Sequence, residues 1–337
     1  MLKQAVSASL SIALSLSMLA VPAFAAEKET DTSYPITMAH AYGETVIDQE
    51  PERIVTLGWG NQDTVLALGK VPVGVSAANY GYVTEHKLHE WTDLTFAELG
   101  EENPNVFDDT DGFDYEAISD SNPDVILAAY SGMTQEEYET LSAIAPVLPF
   151  EETAWKTSWR EQTLRNSEAM GMKAEGEAKV AEVEALIEEK IAEHPEFAGV
   201  KAGFFWINPD DFSTFYAYLT ADPRASYLTD LGFELPESIA ALAEGNDAFS
   251  VTISRENVAD FADVDLMVVY GDEALLEALQ ADELMSEIPA IKDGAVVLLD
   301  STSKLAASTT PTVLSIPATI DEYLTELSAA CGKINEK

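Results

Sequence analysis

Apolar residues along this chain follow two alternating rhythms. "YPITMAHAYGETVI", residues 34–47, is apolar at every second position around Gly43, the pattern of a β-hairpin. "PERIVTLGWG" follows, and its Ile54–Leu57 run predicts a short buried strand ending at Gly58. "NQDTVLALGK" has the spacing of a helix and "VPVGVS" that of another strand, which together make a βαβ unit. "PDVILAAY" and "APVLPF" add strands, separated by the helical "QEEYETLSAI". Residues up to 152 therefore read as one α/β lobe.

The middle of the chain has a different rhythm. "AEGEAKVAEVEALIEEKIAEH", residues 174–194, places Val180, Val183, Ile187 and Ile191 on one face among glutamates, until Pro195 stops it. Such a helix is about 30 Å long at about 1.5 Å per residue, enough to join two lobes. From Lys201 strands resume with "AGFFWI", "STFYAYL", "DLMVVY" and "AVVLLD", with helices expected between them. The predicted fold class is α/β, two similar lobes on one long helix. Its expected divisions are a leader at 1–25, a first lobe at 26–152, a connecting helical segment at 153–196 and a second lobe at 197–337.

One unit recurs in both lobes. "DYEAISDSNPDVILAAY", residues 114–130, lies without a gap over "SRENVADFADVDLMVVY", residues 254–270. Capping residues Asp114 and Ser254 coincide, as do Glu116 with Glu256 and Tyr130 with Tyr270. A carboxylate in the first turn is favoured by the helix dipole, so capping alone accounts for both glutamates. Their equivalence also makes them a matched pair of acids on the two lobes.

Composition narrows the setting. Lys3, the short apolar run Leu10–Val21 and small residues at Ala23 and Ala25 form a secretory leader, with cleavage expected between Ala25 and Ala26. No cysteine near that cut could take a lipid, so a free exported protein is expected. The only cysteine, Cys331, fits a small apolar position on the last helix and can form no internal disulfide. With 60 acidic against 18 basic residues the net charge is −42, which repels nucleic acid and anionic lipid. An anionic ligand would need arginines or lysines gathered at one spot.

Catalytic signatures are few. There is no Walker loop, CxxC or HExxH, and "GVSAA" around Ser76 lacks the last glycine of a hydrolase elbow. His86 and His89 could share a helix face, but no third ligand stands near them, so no protein-bound metal is expected. Aromatic residues are more informative. Trp59, Tyr80, Tyr130, Trp206 and Tyr270 stand at or just after strand ends, where α/β sheets bind ligands. With Tyr218 and with Trp159, near the crossover between the lobes, they suit a bulky, partly apolar ligand. Arg160, in "AWKTSWREQ", and Arg224, in "TADPRASYL", could pair with carboxylate, catecholate or hydroxamate oxygens.

Four segments carry a family likeness along nearly the whole chain and in order. "PERIVTLGWGNQDTVLALGKVPVGV", "EAISDSNPDVILAAYSGMTQEEYETLSAIAPV", "ADPRASYLTDLGFELP" and "SRENVADFADVDLMVVY" resemble the iron–siderophore substrate-binding proteins of ATP-binding-cassette importers. The resemblance implies two Rossmann-like lobes joined by a rigid helix, with the ligand cleft between them. It implies a monomeric periplasmic carrier, not an enzyme, that needs no cofactor because the siderophore itself holds the ferric iron. Trp59, Tyr80, Tyr130, Trp159, Arg160, Trp206, Tyr218, Arg224 and Tyr270 are then the expected ligand contacts. Glu116 and Glu256 would dock on arginines of the membrane permease. A haem or cobalamin carrier of the same scaffold is an alternative, with Tyr80, Tyr130, Tyr218 or Tyr270 as haem ligands. A secreted α/β hydrolase, which needs a nucleophile–histidine–acid set, is the alternative from another class.

Overall fold

Alternating burial makes the first hairpin. The computed structural model describes residues 33–334 except Thr110, and the leader expected at 1–25 lies outside them. Strands β1 (Ile36–His40) and β2 (Gly43–Ile47) pair antiparallel, with His40 opposite Gly43. Next come β3 (Ile54–Thr56), β4 (Gly74–Ser76), β5 (Val106–Phe107), β6 (Val125–Ala128) and β7 (Val147–Pro149). They form one all-parallel sheet in the order β5-β4-β3-β6-β7. All four residues of β6 are buried, which explains its unbroken apolar run. Val55, Ile126 and Ala128 face one apolar cluster, and Ile54, Val125 and Leu127 face another.

The connecting helix runs over Lys173–Ile191, close to the span that periodicity suggests. Val180, Val183 and Ile187 are buried in the core of the second lobe. Burying each such side chain contributes about 1.5–3 kcal/mol, more than helix propensity alone supplies. At its other end Gly176 lies against the helix Trp159–Ala169 so closely that a Cβ would fall 1.9 Å from Ser167 Oγ.

The second lobe departs from simple alternation. Its strands are β8 (Ala202–Asn208), β9 (Asp211–Tyr218), β10 (Ser250–Ser254), β11 (Leu266–Tyr270) and β12 (Val296–Leu299). The sheet order is β10-β9-β8-β11-β12. Here β8, β11 and β12 run parallel, while β9 is antiparallel to both β8 and β10. The helix expected between "AGFFWI" and "STFYAYL" is absent, because Pro209 and Asp210 turn the chain straight back as a hairpin. Asn208 Oδ1 accepts from the Asp210 N–H at 3.1 Å and holds that turn. β10 escaped the sequence reading because it carries little apolar signal and only Ile253 is fully buried.

The repeated unit is matched in part. Asp114 caps the helix Tyr115–Asp120 by accepting from Ala117 N at 3.0 Å. Ser254 instead ends β10, makes no capping bond, and precedes a 3₁₀ turn over Arg255–Phe261.

Candidate ligand-binding cleft

The loops after β3, β4, β5 and β6 converge on a cavity of about 260 Å³. Gly58, two residues past β3, has φ of 80° and lies so near the β6 loop that a Cβ would sit 2.6 Å from Tyr130 O. Only glycine fits there, and the next residue, Trp59, is thereby swung into the cavity wall. Trp59 stacks on Tyr80, with ring centroids 4.3 Å apart, and tilts against Trp155 at 5.0 Å. Trp155 holds a left-handed backbone, φ 61°, which is costly without glycine. Its N–H donates to Ser131 O at 3.1 Å, and its ring meets Tyr130 edge-on at 5.3 Å. Below these rings Ser76 Oγ donates to Asp109, and burial pushes the Asp109 carboxyl up to about 6.

Trp59 also lines a second, nearly filled cavity to which both lobes contribute. Its walls include Tyr80, His89, Trp91 and Tyr130 from the first lobe, with Pro223, Thr310 and Thr312 from the second. Beneath it Asp63 is 1% exposed. Its carboxylate accepts from Trp91 Nε1 at 2.9 Å, Thr92 Oγ1 at 2.7 Å and, across the lobe junction, Thr312 Oγ1 at 2.5 Å. Burial pushes Asp63 up to about 6, although these donors pull the other way. His89 lies between the rings of Tyr80 and Trp91, and burial lowers it to about 4, so it is neutral at physiological pH.

The second lobe presents Arg224, whose side chain is 15% exposed. Arg224 Nε and Nη2 form a fork on Asp222 at 2.9 and 2.7 Å, and the guanidinium lies 4.2 Å over the Tyr218 ring. Burial alone would lower the Arg224 pKa, but the bonds and charge of Asp222 outweigh it and raise it. Arg224 Nη1 reaches Tyr270 Oη at 3.5 Å, and that hydroxyl lies 3.4 Å from Thr309 Oγ1.

Trp59, Tyr80 and Tyr130 line the junction cavity, whereas Tyr218, Arg224 and Tyr270 pack on one another beside Pro223 without lining either cavity. Trp159, Arg160 and Trp206 line neither cavity. Trp159 is buried and donates to Asp230 at 3.1 Å, while Arg160 braces Asp230 and Glu184 at 2.7 and 2.6 Å. Trp206 stacks on Tyr216 on an exposed sheet face. Glu116 and Glu256 are exposed, one on the helix after β5 and the other directly after β10.

Trp155, Asp109, Asp63, Thr310 and Thr312 were not singled out in sequence. "NQD", three polar residues opening an otherwise apolar helix, was the available signal for Asp63. Asp109 had none, since β5 before it is only two residues long.

A family model described as periplasmic binding protein matches residues 54–302. The chain belongs to that family. Among solved structures, this periplasmic binding protein is similar to PiaA of Streptococcus pneumoniae TIGR4, crystallised in complex with ferrichrome. The two are 47% identical over 89% of this chain and 100% of that one, with a TM-score of 0.85. It is 25% identical to the ferric-anguibactin-binding protein FatB of Vibrio anguillarum, over 84% of this chain and 85% of FatB. It is 22% identical to YhfQ of Bacillus subtilis, a putative ABC transporter substrate-binding lipoprotein, over 90% of this chain and 91% of YhfQ.

Proposed function

We propose that this periplasmic binding protein captures a ferric siderophore between its lobes and delivers it to the permease of an ATP-binding-cassette importer. The observation that carries the reading is the aromatic junction of Trp59, Tyr80, Trp155 and Tyr130 facing Arg224, Tyr218 and Tyr270, in a chain so similar to a ferrichrome-bound protein. Aromatic faces grip the organic shell of such a complex, and the shell supplies every ligand to the iron. Transport then needs no catalysis and no resident metal, only docking surfaces, for which Glu116 and Glu256 are suited by their exposure and their matching places in the two lobes. The lobes are bounded at 152 and 197 in this reading, with the intervening segment setting their spacing. Burial raises the phenols of Tyr80, Tyr130 and Tyr218 above their ordinary range, which disfavours the phenolate that haem iron would take.

The test is quenching of tryptophan emission by a panel of ferric complexes, haem and cobalamin. Tight, saturable quenching by a ferric siderophore is expected, since Trp59 and Trp155 line the cavity. Tight binding of haem alone would overturn the reading.

A further inference from the structure

Trp59 lines both cavities, yet its own stretch of chain does not fix it. It stands between Gly58 and Gly60, whose φ angles are 80° and 69°. Glycine enters and leaves that left-handed region freely, so the peptide groups flanking Trp59 have no strong local preference. Contact demands both glycines. A Cβ on Gly58 would sit 2.6 Å from Tyr130 O, and one on Gly60 would sit 2.6 Å from Thr312 Cγ2. The backbone freedom is therefore built into the fold, and bonds from elsewhere have to hold the ring.

Two bonds do so. The Trp59 N–H donates to Tyr130 O at 3.2 Å, and its carbonyl accepts from Gln162 Nε2 at 2.8 Å. Asn61 Nδ2 approaches the same carbonyl at 3.4 Å, but it already donates to Leu57 O at 2.8 Å and Tyr130 O at 3.0 Å. Gln162 is 3% exposed and stands 103 residues further along the chain. Its amide also reaches Asn61 Oδ1 at 3.3 Å, and that oxygen accepts from Tyr130 N at 3.2 Å. One amide, using both of its N–H donors, thus ties the Trp59 loop to the Tyr130 loop. The helix that carries it, Trp159–Ala169, is itself anchored. Ser158 caps its start, and Trp159 and Arg160 both bind Asp230.

We propose that Gln162 is the positioning residue for Trp59. It lines the nearly filled seam cavity and not the open one, so it acts on the ligand only through the ring it places. Without its bond the Trp59–Gly60 peptide is free to turn, and the ring can leave its stack on Tyr80. A ligand would then have to order that ring on binding, at a cost in affinity. The proposal rests on the ferric-siderophore reading above and adds what fixes its aromatic wall.

Gln162→Met keeps the length of the side chain and removes the amide. Ferrichrome, the complex crystallised with PiaA, serves as the probe, titrated by calorimetry into four proteins: wild type, Gln162→Met, Trp59→Ala and the double variant. Gln162→Met should weaken binding roughly three- to tenfold, the ratio for one hydrogen bond. In Trp59→Ala, where there is no ring to place, the same change should alter affinity less than about twofold. A general loss of stability would lower the melting temperature without producing that coupling. An equal loss in both backgrounds, or no loss in the wild type, would overturn the proposal. Acrylamide quenching of the ligand-free proteins gives a second reading, with the Trp59 share taken as the difference from Trp59→Phe. Gln162→Met should make Trp59 more accessible; unchanged accessibility would overturn the placement even where Trp59→Ala binds too weakly to titrate. Failure of the wild type to bind ferrichrome or any other ferric siderophore would overturn the functional reading, while the acrylamide result would still decide whether Gln162 places Trp59.

Discussion

The two lobes carry related sheets but face the cleft differently. In the first, five parallel strands end side by side, and their loops leave an open cavity between Trp59, Trp155 and Asp109. In the second, the β8–β9 hairpin replaces a crossover helix, and the groups at the junction close on one another: Arg224 on Asp222, Tyr218 and Tyr270. The first lobe thus leaves an open cavity, while the second pairs its junction arginine internally. Parallel strand ends make room for a guest; a neutralised ion pair makes a wall.

The largest effect expected concerns the paired glutamates, one in each lobe. Removing both Glu116 and Glu256 by alanine substitution should nearly abolish iron uptake in cells, and each single change should reduce it. Affinity measured on the purified variants should stay at the wild-type value, since neither carboxylate lines a cavity. Full uptake by the double variant would reduce the repeat to helix capping. Loss of affinity would place the pair in the cleft.

A second comparison probes the closed wall. Asp222 is 1% exposed, so Asp222→Ala would strand a guanidinium that is itself largely buried. Breaking such a pair costs about 3–5 kcal/mol, readable as a lower urea midpoint. Arg224 Nη1 lies outside the Asp222 fork and can still donate to a ligand oxygen, so Arg224→Ala should weaken ferric-ligand binding by roughly tenfold. Arg53→Ala should leave affinity unchanged, because that guanidinium binds Asn122 O and Ser121 O, away from both cavities. Equal affinities of the two arginine variants would remove Arg224 from the site.

The smallest effect concerns the seam itself. Asp63 has a folded pKa of about 6, above its unfolded value, so the ionised form is the one that burial penalises. The penalty at pH 7 is up to about 3 kcal/mol. It is relieved as pH falls through 6 and is gone below about 4, the unfolded value. Asp109 shifts in the same direction. His89, held near 4 by burial, costs stability over the same range, so the contribution of Asp63 is read as a difference: from pH 7.5 to 5 the wild type should gain stability relative to Asp63→Asn. A difference in melting temperature between the two proteins that stays constant over that range would show that Asp63 does not contribute to the slope.

Much of the fold was legible because its signals are local. Ile54–Thr56, Val125–Ala128 and Leu266–Tyr270 are apolar runs that form strands wherever a core can cover them. Val180, Val183 and Ile187 recur at helical spacing and are buried together. Aromatics after strand ends pointed to Trp59, Tyr80 and Tyr130, because the direction of a parallel strand tells where its carboxyl end lies. The same rule could not separate them from Trp206, whose side chain lies on an exposed sheet face, because the turn at Pro209–Asp210 extends β8 past its parallel partner.

By itself the chain determined the central parallel strands and the connecting helix, though not β10 or the β8–β9 hairpin, since periodicity and capping act within a few residues. Docking of the lobes decided the chemistry. Asp63 becomes a buried seam only when Thr312, far along the chain, is brought to 2.5 Å. Trp155 holds its left-handed backbone where Trp59 and Tyr130 pack against its ring. Asp109 Oδ1 is enclosed where four loops meet, and none of the described residues brings a donor to it. Burial and pairing are sums over contacts between distant residues, and no window along a sequence contains those contacts.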